Sequence, residues 1–380
     1  MQSELKSLSK IFTESIFRIP DYQRGYSWSK KHLKDFWGDI DQLQDGKGHY
    51  TGVLTLEPVP QQVYQTWEDD LWIIESKRYQ PYYVVDGQQR LTTAIVLLQV
   101  ILEQAEGDLN YTPKSEIQKK YIFESKDSGI SRSYLFGYER DNPSYEYLKK
   151  QIFKEVSENH SLGEETIYTK NLEAAKKFFT DQVKGMSPSK LESIFTRITQ
   201  YLSFNIFIIE PQLDVFVTFE TMNNRGKPLS HLELLKNRLI YLSTRINADD
   251  VERKKLRKVV NESWKTIYHF LGKSNNKKLS DDIFLKTHFV SYFPPDFEEG
   301  DLEAGADLPF RHYIYDEDDY KEKLLDEIFT ARRIGAEKNP LILNEIYDYA
   351  QDIKSAVEVY FDVCAPAKAE IKLSEKTVLS

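Results

Sequence analysis

Apolar positions at Leu91, Ala94, Ile95, Leu98, Ile101 and Leu102 recur at intervals of three and four, which predicts a helix over Gln88–Gln104. The run Tyr82-Tyr83-Val84-Val85 before it is apolar and β-branched and ends in Asp86-Gly87. Strand, tight turn and helix therefore follow one another without a spacer. Alternation predicts further strands over 16–20, 50–57, 61–66, 71–75 and a buried one over 204–210, completing a small sheet. Helical spacing predicts a short helix over 5–14 and an amphipathic one over 29–43, with Leu33, Phe36, Trp37, Ile40 and Leu43 on one side. Residues 105–143 are polar, with a helix near 113–123, and two or three helices run through 144–200. A helix over 215–222 leads into a loop. Another over 230–243 opens with Ser230 and, three residues on, Glu233, a capping-box pattern. Beyond 245 the pattern is helical: 249–271, Asp281–Tyr292, 318–334 and 340–363, with frayed residues from 366. The expected fold is α+β, a small mixed sheet with inserted helices over 1–240 followed by a mainly α-helical domain over 241–380.

The 380 residues suffice for two domains. Hydrophobic content of 40% and charged content of 29% are those of a soluble globular chain. No apolar run approaches the ~18 residues that span a bilayer. The first residues carry no basic segment or signal-like core, and the single cysteine, Cys364, excludes an internal disulfide framework. A cytoplasmic protein without a membrane partner is expected. No cysteine or histidine cluster has zinc spacing. The net charge of −9 argues against a plain nucleic-acid coat, but its distribution is uneven. Lys254, Lys255, Arg257 and Lys258 belong to a basic strip over 250–280 that suits a phosphate backbone or a solvated helix face. Residues 296–327 are dense in acids, most simply a solubilising loop.

Three segments carry candidate chemistry. A helix N-terminus favours anions, yet the helix after Asp86-Gly87 opens with Gln88, Gln89 and Arg90. A docked phosphate explains that cation, as does a pairing of Arg90 with Asp86. In the second segment, Pro20, Tyr22, Gln23, Arg24, Tyr26 and Trp28 combine a planar five-donor fork with aromatic faces on which bases stack. A satellite core of aromatics under a loop is the alternative. The third holds Asn223, Asn224 and Arg225 in an Asn-Asn-Arg-Gly-Lys-Pro loop.

In this order, Ile19-Pro20-x-Tyr22-Gln23-Arg24-x-Tyr26-x-Trp28, Asp86-Gly87-Gln88-Gln89-Arg90 and Phe219-Glu220-x-x-Asn223-x-x-Gly226-x-x-Leu229 resemble one family. It is the N-terminal domain of GmrSD-type modification-dependent restriction nucleases, including SspE-type sensors of phosphorothioated DNA. The resemblance covers about residues 1–240 and implies a fold similar to ParB and sulfiredoxin. It also implies hydrolysis of GTP or another NTP with Mg²⁺, coupled to sensing modified DNA. In that reading Asp86, Gln88, Gln89 and Arg90 are catalytic, with Asp86 a possible Mg²⁺ ligand and one of the two glutamines positioning water. Arg24, Gly87, Thr92, Asn223, Asn224 and Arg225 bind nucleotide. Pro20, Tyr22, Gln23, Tyr26 and Trp28 sense the DNA modification, phosphorothioate favoured.

No Walker motif is present, so P-loop chemistry is excluded. The family's cutting module is a C-terminal His-Asn-His nuclease, and the last histidine here is His312. The chain is therefore expected to act as the sensor half, with that module as partner and a homodimer possible. The alternatives are a non-catalytic DNA-binding sensor, or a nucleotide-binding regulatory subunit of a partner nuclease.

Overall fold

The computed structural model describes residues 3–44, 46–126, 131–140, 142, 144–155, 165–209, 229–273, 279–293 and 319–365. Packing divides the chain into units spanning Met1–Leu213 and Asp214–Ser380. This division precedes the expected boundary at 240, because Leu232, Leu235, Leu239 and Ile240 pack into the core of the second unit.

The first unit is built on a six-stranded mixed sheet in the order β1-β8-β3-β4-β2-β7. The strands are β1 (Ser3–Ser7), β2 (Ser15–Ile19), β3 (His49–Pro58), β4 (Gln80–Asp86), β7 (Phe136–Tyr138) and β8 (Leu202–Ile208), with β5 (Phe123–Lys126) and β6 (Ser131–Tyr134) forming a separate hairpin. β2 runs parallel to both β4 and β7, while β3 is antiparallel to β4. The C-terminal ends of β2, β4 and β7 thus share one sheet edge, the usual address of a ligand in sheets with parallel strands. The helices of this unit are α1 (Leu8–Ile11), α2 (Lys30–Asp41), α3 (Gln61–Tyr64), α4 (Leu71–Ser76), α5 (Gln88–Gln104), α6 (Lys114–Tyr121), α7 (Ser144–Tyr147), α8 (Ile167–Val183) and α9 (Pro188–Thr196).

Helix α5 occupies the expected residues, but every side chain from Leu91 to Leu102 is buried. It is a central helix, buried all round with Thr92, Thr93 and Gln99 among its apolar residues, and α8 packs against it.

Four expectations are corrected. Residues 5–14 do not form one helix: Ser3–Ser7 pairs antiparallel with β8, Leu5 opposite Asn205, before the single turn of α1. Segments 61–66 and 71–75 are helical rather than strands. Ile73 and Ile74 are adjacent and both buried, which a strand with one buried face does not allow. The polar stretch 105–143 contains three strands, since the hairpin pairing Phe123 with Tyr134 and the three-residue β7 are set by partners and not by apolar alternation. Segment 318–334 breaks into α13 (Asp319–Glu322), a π-helical stretch Lys323–Ile328 and a 3₁₀ turn Ala331–Arg333. Arg333 holds that last turn in place through Ile328 O at 2.7 Å and Glu345 at 2.7 and 2.9 Å.

The second unit is helical, with α10 (His231–Arg245), α11 (Asp250–Lys273), α12 (Asp281–Tyr292), α13 and α14 (Leu343–Cys364). Ser230 caps α10 reciprocally with Glu233, as its sequence pattern predicts. Helices α11 and α14 pack along one another. Buried Trp264 donates from Nε1 to Leu232 O at 3.0 Å, tying α11 to the start of α10. The expected helix over 215–222 and the frayed end from 366 lie outside the described residues.

Candidate functional site

Strand β4 hands over to α5 through Gly87, whose φ is +86°. A Cβ there would sit 2.7 Å from Val53 O and 3.0 Å from the Leu54 side chain, so both conformation and space require glycine. The first intrahelical bond runs from Leu91 N to Gly87 O. The amides of Gln88, Gln89 and Arg90 precede it and have no acceptor within the helix.

Each side chain of that first turn reaches a different partner, Gln88 the Gln23 side chain and Gln89 and Arg90 backbone. Gln88 Nε2 donates to Gln23 Oε1 at 2.9 Å, and Gln23 Nε2 donates to Val85 O at 2.8 Å. Gln89 Oε1 accepts from Ser27 N at 2.8 Å, and its Nε2 donates to Gly25 O at 3.2 Å. Arg90 Nη2 donates to Val53 O at 3.1 Å. The first turn of α5 therefore staples the Tyr-Gln-Arg loop on one side and the middle of β3 on the other. Arg24, buried itself, lies between two residues that this turn holds. Sequence reasoning placed Arg24, Gln88, Gln89 and Arg90 in one site, and the fold brings those four together. Thr92 and Thr93 sit one turn further on, buried, with their hydroxyls donating to Gln88 O and Gln89 O at 2.7 Å.

The expected aromatic reader is divided. Tyr26 is fully buried and its hydroxyl meets Thr93 Oγ1 at 2.7 Å. Burial pushes that phenol's pKa far up. Its ring belongs to the core and offers no face for a base. Trp28 is partly buried, stacked on His32 and edge-on to Phe36. Tyr22 is half-buried, and Pro20 is buried with its carbonyl accepting from Gln23 N at 3.0 Å. Tyr22 and the rim of Trp28 are what this loop presents.

Residues that the sequence did not single out brace the loop from β7. Glu139 accepts from Tyr83 Oη at 2.5 Å and from Asp21 N at 2.9 Å. Burial, then the Glu139 charge, raises the Tyr83 pKa strongly. Beneath lies a cavity of about 270 Å³ lined by Arg18, Asp21, Trp67, Asp70, Glu139 and Arg140 among others. Arg18 and Asp70, both buried, form an ion pair at its floor, with the guanidinium 5.4 Å from the Trp67 ring centroid. Arg18 is recognisable in the sequence only as a lone cation inside an apolar strand.

Asn223, Asn224 and Arg225 lie outside the described residues. In the second unit Lys254, Lys255 and Lys258 are exposed on α11 and Arg257 is half-buried, opposite the core stripe of Leu256, Val260, Trp264 and Ile267. The described part of the basic strip is thus an outward helix face, which a phosphate-backbone contact and a solvated surface both require. Among the described residues no group of three or more His, Cys, Asp or Glu side chains is arranged to hold a metal ion, and no helix is long and apolar enough to cross a membrane.

Comparison with curated proteins returns no match. A family model, GmrSD restriction endonuclease, N-terminal domain, matches residues 7–240. That match takes in the Gly87 turn, the Tyr-Gln-Arg loop stapled to it and five of the six strands of the sheet, all but β1, so the chain belongs to the GmrSD restriction endonuclease N-terminal domain family, whose role lies in restriction systems.

Proposed function

We propose that this chain is the nucleotide-hydrolysing, modification-sensing component of a restriction system, controlling a His-Asn-His nuclease module. The observation that carries the reading is the first turn of α5. It is a helix N-terminus opened by a left-handed glycine, with no acidic residue and with Arg90 in place, fastened to the loop that bears Arg24. Such a turn supplies converging amides and guanidinium groups, the chemistry that binds the phosphates of a nucleotide. Arg24 and Arg90 offset charge on the terminal phosphoryl as it leaves. Mg²⁺ would arrive with the nucleotide's phosphates, and Asp86, at the turn itself, is the carboxylate suited to meet it.

Sensing falls to the other side of the same loop. Tyr22 and Gln23 sit two residues and one residue from Arg24, so modified DNA read by Tyr22 acts on the residue that holds phosphate. A phosphorothioate suits this apolar-edged loop better than a glucosylated base, which needs a wide polar pocket.

The test is turnover of GTP, ATP, CTP and UTP by the purified chain, with and without phosphorothioated or unmodified duplex. The expected result is hydrolysis that modified DNA alters and unmodified DNA does not, with the DNA left intact. Salt-dependent DNA binding without turnover would instead favour a non-catalytic sensor.

A further inference from the structure

The two adjacent glutamines at the start of α5 are not equivalent. Both polar atoms of the Gln89 amide are consumed by the Tyr-Gln-Arg loop, at Ser27 N and Gly25 O. Gln88 is different. Its orientation is fixed by a chain that begins at a backbone carbonyl: Val85 O can only accept, so Gln23 must present Nε2 to it and Oε1 to its neighbour. Gln88 must then present Nε2 to Gln23. Oε1 of Gln88 is left over, on a residue only 7% exposed, and among the described residues it has no hydrogen-bond partner. A buried acceptor in that state costs on the order of 1–3 kcal/mol. It sits in the same turn as Gly87 and Arg90, where the helix presents its unbonded amides to an anion.

Resting on the nucleotide-hydrolase reading, we propose that Gln88 Oε1 holds and orients the attacking water, and that Gln89 is the clamp that keeps the Arg24 loop in place. Gln88 is a positioning residue, not a base: a neutral amide accepts a hydrogen bond from water and takes no proton. The water oxygen's lone pair forms the bond to the terminal phosphorus. The bond from that phosphorus to the bridging oxygen breaks, its electron pair leaving with the nucleoside diphosphate. One water proton passes to a terminal phosphate oxygen, so NTP⁴⁻ and H₂O give NDP³⁻ and H₂PO₄⁻. The Val85–Gln23–Gln88 chain sets where the oxygen points. It also couples that oxygen to the DNA-facing loop, since movement at Gln23 turns the Gln88 amide.

The experiment compares the full chain with Gln88→Met and Gln89→Met, reading kcat, KM, affinity for a non-hydrolysable nucleotide analogue, and melting temperature. Methionine keeps the length and volume of the side chain and removes the amide. Gln88→Met is expected to lower kcat by about 100-fold, the scale of a misplaced reacting group, with analogue affinity and melting temperature falling less than in Gln89→Met, because the variant gives up one bond to Gln23 together with an unpaired buried acceptor. Gln89→Met is expected to raise KM and lower the melting temperature, with a much smaller change in saturated kcat. A Gln88→Met protein that keeps near-parental kcat, or loses kcat only in step with analogue affinity and melting temperature, overturns the assignment while leaving the hydrolase reading standing. A parent chain that binds the analogue and turns over no nucleotide overturns both.

Discussion

Arg90 lies against Gly52: a Cβ built on Gly52 would sit 2.7 Å from Arg90 Nη1 and 2.8 Å from Cζ. Glycine at this point of β3, with φ at +132°, leaves room for the guanidinium to reach Val53 O. Gly52→Ala should therefore displace Arg90 without touching it chemically. Nucleotide turnover should fall toward that of Arg90→Ala, on the order of 10²–10³-fold, the usual cost of one lost charge-stabilising donor. Circular dichroism should report a retained fold in both variants. Near-normal turnover in folded Arg90→Ala would remove that residue from the site.

Tyr22 and Tyr26 lie four residues apart and should behave oppositely. Tyr22→Ala, at a half-buried position, should narrow the affinity gap between modified and unmodified DNA while changing the melting temperature little. Stacking on one base is worth roughly 1–3 kcal/mol. Tyr26→Ala removes a fully buried ring and should cost about 3–5 kcal/mol of stability. Tyr26→Phe removes only the bond to Thr93 and should cost about 1 kcal/mol. Equal loss of affinity for both DNA forms in Tyr22→Ala would mean that the residue serves the backbone or the fold alone.

The Arg18–Asp70 pair joins β2 to the segment leading into α4 at the floor of the cavity. Asp70→Ala leaves a buried guanidinium uncompensated and should destabilise the first unit by about 3–5 kcal/mol. A double change, Arg18→Met with Asp70→Leu, should recover much of that loss, because it removes the desolvation cost on both sides. Urea denaturation of the three proteins checks this. A double variant as unstable as Asp70→Ala would mean that the cavity's shape depends on the charges themselves.

His288 gives the second unit an acid-sensitive step. Its side chain is fully buried, Nε2 lies 2.8 Å from Asp352 Oδ1, and the rings of Phe284, Tyr292 and Tyr349 surround it. Burial pushes its pKa below the ordinary histidine value, and Asp352 only partly offsets this. The folded protein therefore binds this proton less readily than the unfolded chain. Stability from this residue is complete above about pH 6.5 and declines as pH falls through that value, by at most about 1.4 kcal/mol per pH unit. Denaturant midpoints measured from about pH 7.5 down to about 5.5 should show the decline in the parent and lose it in His288→Phe. An unchanged slope in the variant would assign the effect elsewhere.

Much of this protein is legible locally. The strand–glycine–helix handover at Val84-Val85-Asp86-Gly87-Gln88 depends on β-branched residues, one positive φ and a long apolar helix. All of these are properties of neighbouring residues, and helix α5 ends where its pattern ends. The Ser230–Glu233 cap is equally local. The short Tyr-Gln-Arg and Asp-Gly-Gln-Gln-Arg segments likewise suffice to point to the family that residues 7–240 match.

What the chain pattern leaves open is decided by partners distant in sequence. Ser3–Ser7 becomes a strand because β8, some two hundred residues later, offers it an edge, and Phe136–Tyr138 becomes one because β2 does. The same physics separates Gln88 from Gln89. As letters they are identical, and only the carbonyls of Val85 and Gly25 and the amide of Ser27, brought within hydrogen-bond range by the fold, consume one side chain and leave an acceptor on the other. Likewise Tyr26 reads as a stacking face in the sequence, until helix α5 supplies Thr93 and buries it. Hydrogen bonds and burial are pairwise, and the second member of each pair is chosen by tertiary structure.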